Sequence, residues 1–249
     1  MAAGRGVWVV LPTYNEIENL EGVLAAILEA LPQAQVLVVD DGSPDGTGQL
    51  ADTIAAREPR AAVLHRSAKE GLGPAYRAGF RWVLDRPETQ AVVQMDADFS
   101  HDPRDLPRLL APLMAGADLA LGSRYVPGGG TAGWPWYRRL ISRGGTTFAR
   151  TVLLLPYRDL TGGFKAWRRE LLDSIRLRDM GVNGYGFQIE MTWWAHRRGA
   201  RIVQVPIIFR ERTAGRSKMT GGIVREAMLR VLALRWETIP FVGTSERQR

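Results

Sequence analysis

Five short apolar runs alternate with helix-like segments in the first half of the chain and constrain its fold more than any other feature. The runs cover residues 7–11, 36–39, 61–64, 92–95 and 119–122. Apolar runs of this length are typical of buried strands. Strands that alternate with helices pair in parallel through right-handed crossovers. The sequence therefore predicts an α/β fold whose mostly parallel central sheet is flanked by helices.

Helix signals lie between these strands. Apolar residues recur at helical spacing over residues 17–31. Before them, Asn15 with Glu18 three residues later predicts a capping box. After the second strand, Ser43 followed by Pro44 predicts the cap and first position of another helix. We therefore expect two helices that begin soon after the first and second strands end.

The second half of the chain changes in style after a glycine-rich stretch at residues 127–133. The patterns there predict a loop that enters a strand at residues 161–167, a helix at 185–196, a strand at 201–210, a basic loop at 212–218, and a helix at 223–236 before a polar tail. Pro206 within the last strand suggests an edge position. We expect all these segments to belong to a single domain.

Composition narrows the function classes. The chain has 249 residues, no cysteine and a formal net charge of +7, so disulfides and thiol chemistry are excluded. No apolar run reaches the roughly 18 residues of a membrane span, and the N-terminus lacks a signal-peptide layout. We therefore expect a cytoplasmic protein whose basic surface attracts anionic partners.

Two aspartates, Asp96 and Asp98, follow the fourth apolar run directly. Ligands of open α/β sheets bind beyond the carboxyl ends of the strands. Mg²⁺ and Mn²⁺ prefer carboxylate oxygens and bind through one or two of them together with substrate phosphates. The pair therefore predicts a site for Mg²⁺ or Mn²⁺ that carries a diphosphate, whereas the alternative is a solvated turn with two surface acids.

A basic stretch lies between Asp118 and Asp159. It contains no acidic residue, and its arginines are Arg124, Arg138, Arg139, Arg143, Arg150 and Arg158. Guanidinium groups bind phosphates with bidentate geometry, and aromatic rings such as Trp136 favour membrane interfaces. Two interpretations of Arg138 and Arg139 stay open: an acceptor-phosphate site at a membrane surface, or a solvated basic loop.

These motifs together resemble the inverting family 2 glycosyltransferases of the GT-A fold, and most of all their polyprenol (dolichol) monophosphate mannose synthases. The resemblance covers about residues 7–218. Its motifs are Leu11-Pro12-Thr13-Tyr14-Asn15-Glu16, Val39-Asp40-Asp41-Gly42-Ser43-Pro44-Asp45-Gly46-Thr47, Met95-Asp96-Ala97-Asp98-Phe99-Ser100-His101, Gly122-Ser123-Arg124-Tyr125, and Arg212 with Lys218. The resemblance implies a Rossmann-like sheet with a nucleotide-sugar half at about residues 7–122, an acceptor half at about 123–218, and a C-terminal helix and tail at about 219–249.

The resemblance also implies the site residues. The predicted nucleotide-sugar residues are Pro12, Tyr14, Glu16, Val39, Asp41, Asp96, Ala97, Asp98, Arg124, Arg212 and Lys218. The predicted acceptor-phosphate residues are Arg124, Arg138 and Ser142. The predicted catalytic residues are Asp98, Arg124 and Arg138, and the predicted metal ligands are Asp96 and Asp98. Some relatives carry glutamine where this chain has Ser100, so a third protein ligand is not indicated.

The activity implied is transfer of mannose from GDP-mannose to polyprenyl or dolichyl phosphate, metal-dependent and with inversion. The expected location is the cytoplasmic face of the membrane, held peripherally or through a membrane-embedded partner protein. No nucleic-acid partner is expected. The acceptor phosphate is already anionic at neutral pH, because its second pKa is about 6, so no strong general base is required.

Three alternatives stay open at this point. A transferase that uses UDP-glucose or another nucleotide sugar with the same acceptor would share these motifs. A nucleotide-sugar pyrophosphorylase would carry a glycine-rich, lysine-containing loop after its first strand, where this chain has Pro12 to Glu16. A basic module that binds lipid or nucleic acid explains the net charge but not the carboxylates at the strand ends.

Overall fold

The structure is a computed structural model that describes residues 2–175, 177, 186–211 and 221–237. Its strands are β1 (Val7–Thr13), β2 (Gln35–Asp40), β3 (Ala61–His65), β4 (Ala91–Gln94), β5 (Leu119–Ser123), β6 (Gly130–Ala132), β7 (Lys165–Arg168), β8 (Ile202–Pro206) and β9 (Ile208–Arg210). Its α-helices are α1 (Leu20–Ala30), α2 (Thr47–Arg57), α3 (Leu72–Leu84), α4 (Leu106–Met114), α5 (Trp136–Leu153), α6 (Arg169–Ser174), α7 (Gly186–Arg197) and α8 (Gly221–Trp236).

Within the described ranges, seven strands form one sheet in the order β3-β2-β1-β4-β7-β5-β8. All neighbouring pairs are parallel except those of β7, which runs antiparallel to both β4 and β5. β8 is an edge strand, as Pro206 predicts. β6 and β9 pair in parallel as a separate two-stranded sheet. The predicted α/β architecture with a mostly parallel sheet is confirmed.

The core lies on both faces of the large sheet, because successive strand residues point to opposite sides. On β1, Trp8 and Val10 pack into a cluster with α3, α5, α7 and α8, while Val7, Val9 and Leu11 pack into a second cluster with α1, α2 and α4. The sheet is thus covered by helices on both faces. This arrangement leaves the strand ends as the place where polar groups can gather.

Both predicted helix starts are wrong. Asn15 lies at φ +58°, and α1 begins only at Leu20. The second helix begins at Thr47, whose backbone N–H donates to the Asp45 carboxylate at 3.0 Å. Ser43 instead hydrogen-bonds to Asp40 at the end of β2. These polar residues stabilise loops at the strand ends, and the helices start further along the chain.

Most predictions for the second half of the chain are confirmed, but the strand predicted at residues 201–210 is two strands, β8 and β9, which belong to different sheets. The segment predicted as a loop entering a strand leads into β7, and the two later helices are α7 and α8. Arg138 and Arg139 belong to the first turn of α5, so the basic segment is a helix at this point and not a loop. The predicted basic loop at residues 212–218 lies outside the described residues.

Candidate functional site

The carboxyl ends of four parallel strands meet at one edge of the large sheet. Thr13 of β1 pairs with Asp40 of β2, while Asp96 follows β4 and Arg124 follows β5. Because β7 is antiparallel, its first residue, Lys165, lies at this same edge beside β5. The strand topology therefore brings the predicted carboxylates and the first predicted arginine to one side of the molecule.

The loop after β4 is fixed by hydrogen bonds. The Ser100 backbone N–H donates to Asp98 Oδ1 at 3.0 Å, and the Asp96 N–H donates to His101 Nδ1 at 3.1 Å. Asp98 is only 5% exposed, whereas about a third of the Asp96 side chain (33%) is exposed. The two carboxylates therefore differ: Asp98 is held inside the loop and Asp96 faces the adjoining cavity.

His101 supports this loop as a neutral side chain. Its ring stacks on Phe164 with centroids 4.9 Å apart and meets the edge of Phe209 at 5.2 Å. Burial lowers the pKa of His101 to about 4. Because Nδ1 accepts the Asp96 N–H, the proton lies on Nε2, which has no hydrogen-bond partner among the described residues. The ring orients the carboxylate loop and is not poised as a base.

The two aspartates fit a hard divalent cation. They supply anionic oxygens at the ligand-binding edge of the sheet, and Mg²⁺ commonly takes one or two carboxylates with substrate phosphates. In the described part of the chain, no group of three or more histidine, aspartate or glutamate residues could hold a metal ion. The donor set therefore suits a cation whose remaining ligands come from a bound diphosphate and water.

The neighbouring carboxylates after β2 have separate surroundings. Asp40 accepts from the Thr13 hydroxyl at 3.2 Å and from the Ser43 backbone N–H at 3.1 Å. Asp41 instead pairs with Arg66, which follows β3. Burial raises the pKa of Asp41, and the Arg66 charge opposes that shift. Asp40 is thus used in shaping the strand end, and Asp41 is the one paired with a nearby cation.

The other predicted donor residues lie around the same edge. Tyr14 lies beneath the Lys69 ammonium, which is 3.9 Å from the ring centroid. Pro12, near the end of β1, and Glu16, in the loop after β1, are both partly exposed. The side chains of Val39 and Ala97 are buried in the core, so only their backbone groups can face a nucleotide. Arg212 and Lys218 lie outside the described residues, and their predicted roles stay predictions.

A cavity of about 330 Å³ adjoins the Asp96 carboxylate. Arg124, Arg138 and Ser142 line it on its polar side. Its apolar lining comes from three helices and includes Phe148, Ile189, Met228 and Val231. One cavity thus joins a carboxylate, two arginines and an apolar wall.

Arg124 is buried at the wall of this cavity in a bidentate salt bridge. Its Nε and Nη2 each donate to the Asp159 carboxylate at 2.7 Å, and its backbone N–H donates to the same carboxylate at 2.9 Å. Nη2 also donates to the Thr161 hydroxyl at 2.7 Å. Sequence reasoning missed Asp159, because a lone aspartate 35 residues away carries no local motif. Its charge offsets much of the positive charge that a phosphate would meet at Arg124.

Arg138 and Ser142 lie one turn apart on α5, so both face the cavity. Arg138 pairs with Glu211 at 2.6 Å, and its guanidinium carbon lies 4.2 Å from the Trp134 ring centroid. The Ser142 hydroxyl accepts from the Tyr125 hydroxyl at 2.7 Å. The structure therefore brings all three predicted acceptor-phosphate residues to one cavity, although their role in binding stays a prediction.

Comparison with known proteins decides the family. The sequence model described as glycosyl transferase family 2 matches residues 8–176, which is more than half of the chain. The chain belongs to glycosyl transferase family 2. The carboxylate-bearing ends of β2 and β4 both fall within the matched residues. As a family 2 member, the protein is a glycosyltransferase, and the alternatives of a pyrophosphorylase or a non-enzymatic module are set aside.

Two curated relatives resemble this family 2 chain over most of their length. It is 51% identical over 224 residues to the polyprenol monophosphomannose synthase of Mycolicibacterium smegmatis, covering 90% of this chain and 84% of the relative. It is 52% identical over 235 residues to the undecaprenyl-phosphate mannosyltransferase of Micrococcus luteus, covering 93% and 96%. It is also 36% identical over 236 residues to the dolichol-phosphate mannosyltransferase of Pyrococcus furiosus, covering 93% of this chain and 64% of that relative.

Solved structures confirm the predicted GT-A fold. The glucosyl-3-phosphoglycerate synthase of Mycobacterium tuberculosis, in complex with phosphoglyceric acid, matches with a TM-score of 0.71 and 24% identity, covering 99% of this chain and 86% of that one. The same enzyme with Mn²⁺, uridine diphosphate and phosphoglyceric acid matches with a TM-score of 0.70 and 25% identity, covering 97% and 83%.

Proposed function

We propose that the chain transfers mannose from GDP-mannose to a polyprenyl phosphate, with a divalent cation and inversion at the sugar carbon. The observation that carries the proposal is the cavity beside Asp96, whose lining is charged in one part and apolar in another. A polyprenyl phosphate has the same two-part chemistry, an anionic head on an apolar chain. The curated relatives, at 51% and 52% identity, are named for transfer to such lipids.

On the donor side, Asp96 and Asp98 would be the protein ligands of Mg²⁺ or Mn²⁺ when a nucleotide sugar is bound. The cation, when bound, offsets the charge that grows on the departing diphosphate. The nucleotide lies along the ends of β1 and β2, within reach of Tyr14 and Asp41. Solved neighbours of this fold were obtained with Mn²⁺ or Mg²⁺ and uridine diphosphate, which supports the use of a divalent cation with a nucleotide.

On the acceptor side, Arg138 and Ser142 receive the phosphate and the apolar wall receives the first part of the chain. Arg124, held by Asp159, sets the shape and charge of the cavity wall between the two substrates. The phosphate oxygen attacks the sugar carbon directly. No base is needed because a phosphate monoester is largely ionised at pH 7, in agreement with the neutral, loop-supporting His101.

The outer surface of α5 and α8 favours contact with a bilayer on the cytoplasmic face. Trp136 and Trp236 are 74% and 84% exposed, and further apolar side chains on these helices are also exposed. Exposed arginines on the same helices, such as Arg139 and Arg235, complement anionic headgroups. This surface adjoins the proposed lipid cavity, so a bilayer is the occupant we propose. In the described residues, no helix is both long and apolar enough to cross a membrane.

The experiment is a transfer assay with a panel of labelled nucleotide sugars, undecaprenyl phosphate and vesicles. We expect GDP-mannose with Mg²⁺ or Mn²⁺ to give polyprenyl phosphate β-mannose, and a chelator to abolish the product. Transfer from UDP-glucose alone would assign the donor to the alternative class. A product with the donor's α configuration, shown by NMR, would contradict inversion.

A further inference from the structure

Arg66 is the residue outside the predicted site whose contacts point most directly into it. It follows β3, and its backbone N–H donates to the Asp40 carbonyl at 2.8 Å. Its guanidinium pairs with Asp41 through Nη1 and with Glu70 through Nη2. The Arg66 and Asp41 side chains are only 12% and 6% exposed. A largely buried cation thus bridges Glu70 and Asp41, the carboxylate that is predicted to meet the donor nucleotide.

We propose that Arg66 is a positioning residue for donor binding, which holds the Asp41 carboxylate in one orientation and supplies its countercharge. The inference rests on the proposed function, because it takes Asp41 as a donor-binding group. Neither the family motifs nor the predicted site residues include Arg66. It acts on the donor through Asp41 and makes no contact with the reacting atoms.

The surrounding charges explain why Asp41 needs this partner. Burial and the adjacent Asp40 and Glu70 charges all raise the pKa of Asp41, whereas Arg66 lowers it by charge and by hydrogen bonding. Asp40 cannot take the place of Asp41 in donor binding, because its oxygens already accept hydrogen bonds from Thr13 and Ser43. On α3, Arg77 also interacts electrostatically with Arg66 and Glu70. Removing the Arg66 charge leaves a buried carboxylate with acidic neighbours.

The loop that carries Arg66 also approaches the predicted nucleotide pocket. Lys69 lies over the Tyr14 ring, and the Arg66–Glu70 pair spans one turn of the same loop. The loop therefore contacts two predicted donor residues, Asp41 and Tyr14, from one side. Order imposed on Asp41 by Arg66 lowers the cost of fixing that carboxylate when the nucleotide binds.

The test is calorimetric titration with GDP-mannose and Mg²⁺, without acceptor, from about pH 8 to about pH 5. Arg66→Met is expected to weaken binding by about tenfold at pH 7.5, the loss typical of one charge-assisted hydrogen bond. The loss should grow as pH falls, because the Asp41 pKa rises further without its cation and the protonated carboxyl loses its charge. Arg66→Lys keeps the charge and can still make one contact with Asp41, although it cannot bridge Asp41 and Glu70. It should therefore bind within about threefold of wild type with a wild-type pH profile.

The decisive comparison measures the effect of Arg66→Met in a protein that already carries Asp41→Asn. If Arg66 acts through Asp41, Arg66→Met changes affinity little once Asp41 is already asparagine. An equal, pH-independent loss in both backgrounds would overturn the proposal, and so would a tenfold loss in Arg66→Lys with an unchanged pH profile. If Arg66→Met does not fold, the proposal is tested by the GDP-mannose affinity of Arg66→Lys and by its pH profile.

A ligand-free measurement separates this proposal from the proposed function. Carbon NMR should show a higher Asp41 pKa in Arg66→Met than in wild type, whether or not a donor is present. Wild-type protein that binds neither GDP-mannose nor UDP-glucose would contradict the proposed function and the donor role of the pair. An Asp41 pKa that is unchanged in Arg66→Met would overturn the electrostatic link by itself.

Discussion

At the residue scale, Asp98 is the most sensitive position of the candidate site. We expect Asp98→Asn to lower kcat by about a hundredfold or more, since it removes a charge that acts on the leaving diphosphate. The substitution is isosteric, and the Oδ1 that accepts the Ser100 N–H can be retained. Asp102→Asn is the matched control, because Asp102 lies four residues after Asp98 and pairs with the exposed Arg104. Near-wild-type turnover of a folded Asp98→Asn protein would contradict the metal assignment.

Lys165 gives a prediction about stability and pH. Its ammonium is buried beneath the strand edge and donates to the Gln188 carbonyl at 2.6 Å and the Thr192 hydroxyl at 3.0 Å. Burial lowers its pKa from 10.5 to about 7. Between these values the folded protein binds fewer protons than the unfolded chain, so this residue makes the unfolding free energy rise with pH.

We expect denaturant titrations from about pH 7 to about pH 10 to show this rise in wild type and to show a smaller one in Lys165→Met. The difference should be on the order of a few kcal/mol over that interval, from 1.36 kcal/mol per pKa unit. Identical pH slopes in the two proteins would contradict the assignment of a largely neutral lysine to the folded state.

At the element scale, the close approach of α3 to the sheet depends on Gly79. A Cβ placed there would lie 2.6 Å from Val10 Cγ1 and 3.0 Å from Val39 Cγ2. We expect Gly79→Ala to lower the unfolding free energy by about 1–3 kcal/mol through overpacking. The matched control is Gly145→Ala on α5, where a Cβ meets nothing within 4 Å.

Gly145→Ala should stabilise the protein by about 0.5–1 kcal/mol, because alanine is the better helix former. Thermal or denaturant unfolding of the two variants measures both effects in one experiment. If the two substitutions change stability in the same direction and by similar amounts, packing between α3 and the sheet is not the reason for glycine at position 79.

The order of the elements was predictable from sequence, because apolar runs and helical spacing are local signals. The position of the carboxylates after β4 was predictable for the same reason, because the apolar run of that strand directly precedes them in the sequence. Contacts between residues distant in sequence were not predictable. The pairing of Asp159 with Arg124 and the antiparallel position of β7 beside β4 both depend on the tertiary structure. The helix starts were missed because Ser43 hydrogen-bonds to Asp40 and because Asn15 has a left-handed backbone conformation in the loop after β1.

At the scale of the whole molecule, we expect α5 and α8 to dock on anionic vesicles. Trp136→Ser with Leu140→Ser should weaken flotation with such vesicles by about tenfold or more, since each buried apolar side chain contributes about 1.5–3 kcal/mol. Added salt should weaken the arginine share of the binding. Met114→Ser on α4, which is 57% exposed, is the control and should bind like wild type. Equal losses in both variants would place the docking surface elsewhere.

The division of the molecule into a donor side and an acceptor side is the central claim. Arg138 belongs to the acceptor side, where it lines the cavity and pairs with Glu211. Arg138→Ala should raise the KM for polyprenyl phosphate and lower kcat, because a phosphate clamp also positions the nucleophile. Asp41→Ala should instead weaken donor binding before it affects the use of polyprenyl phosphate. Glu211→Gln, which removes only the partner of Arg138, should leave donor affinity unchanged.

The most direct measurement is GDP-mannose affinity by calorimetry in the absence of lipid, for wild type, Arg138→Ala and Asp41→Ala. We expect Arg138→Ala to bind the donor within about twofold of wild type and Asp41→Ala to bind it about tenfold or more weakly. Loss of donor binding in Arg138→Ala would mean that this arginine serves the donor diphosphate and would contradict the division.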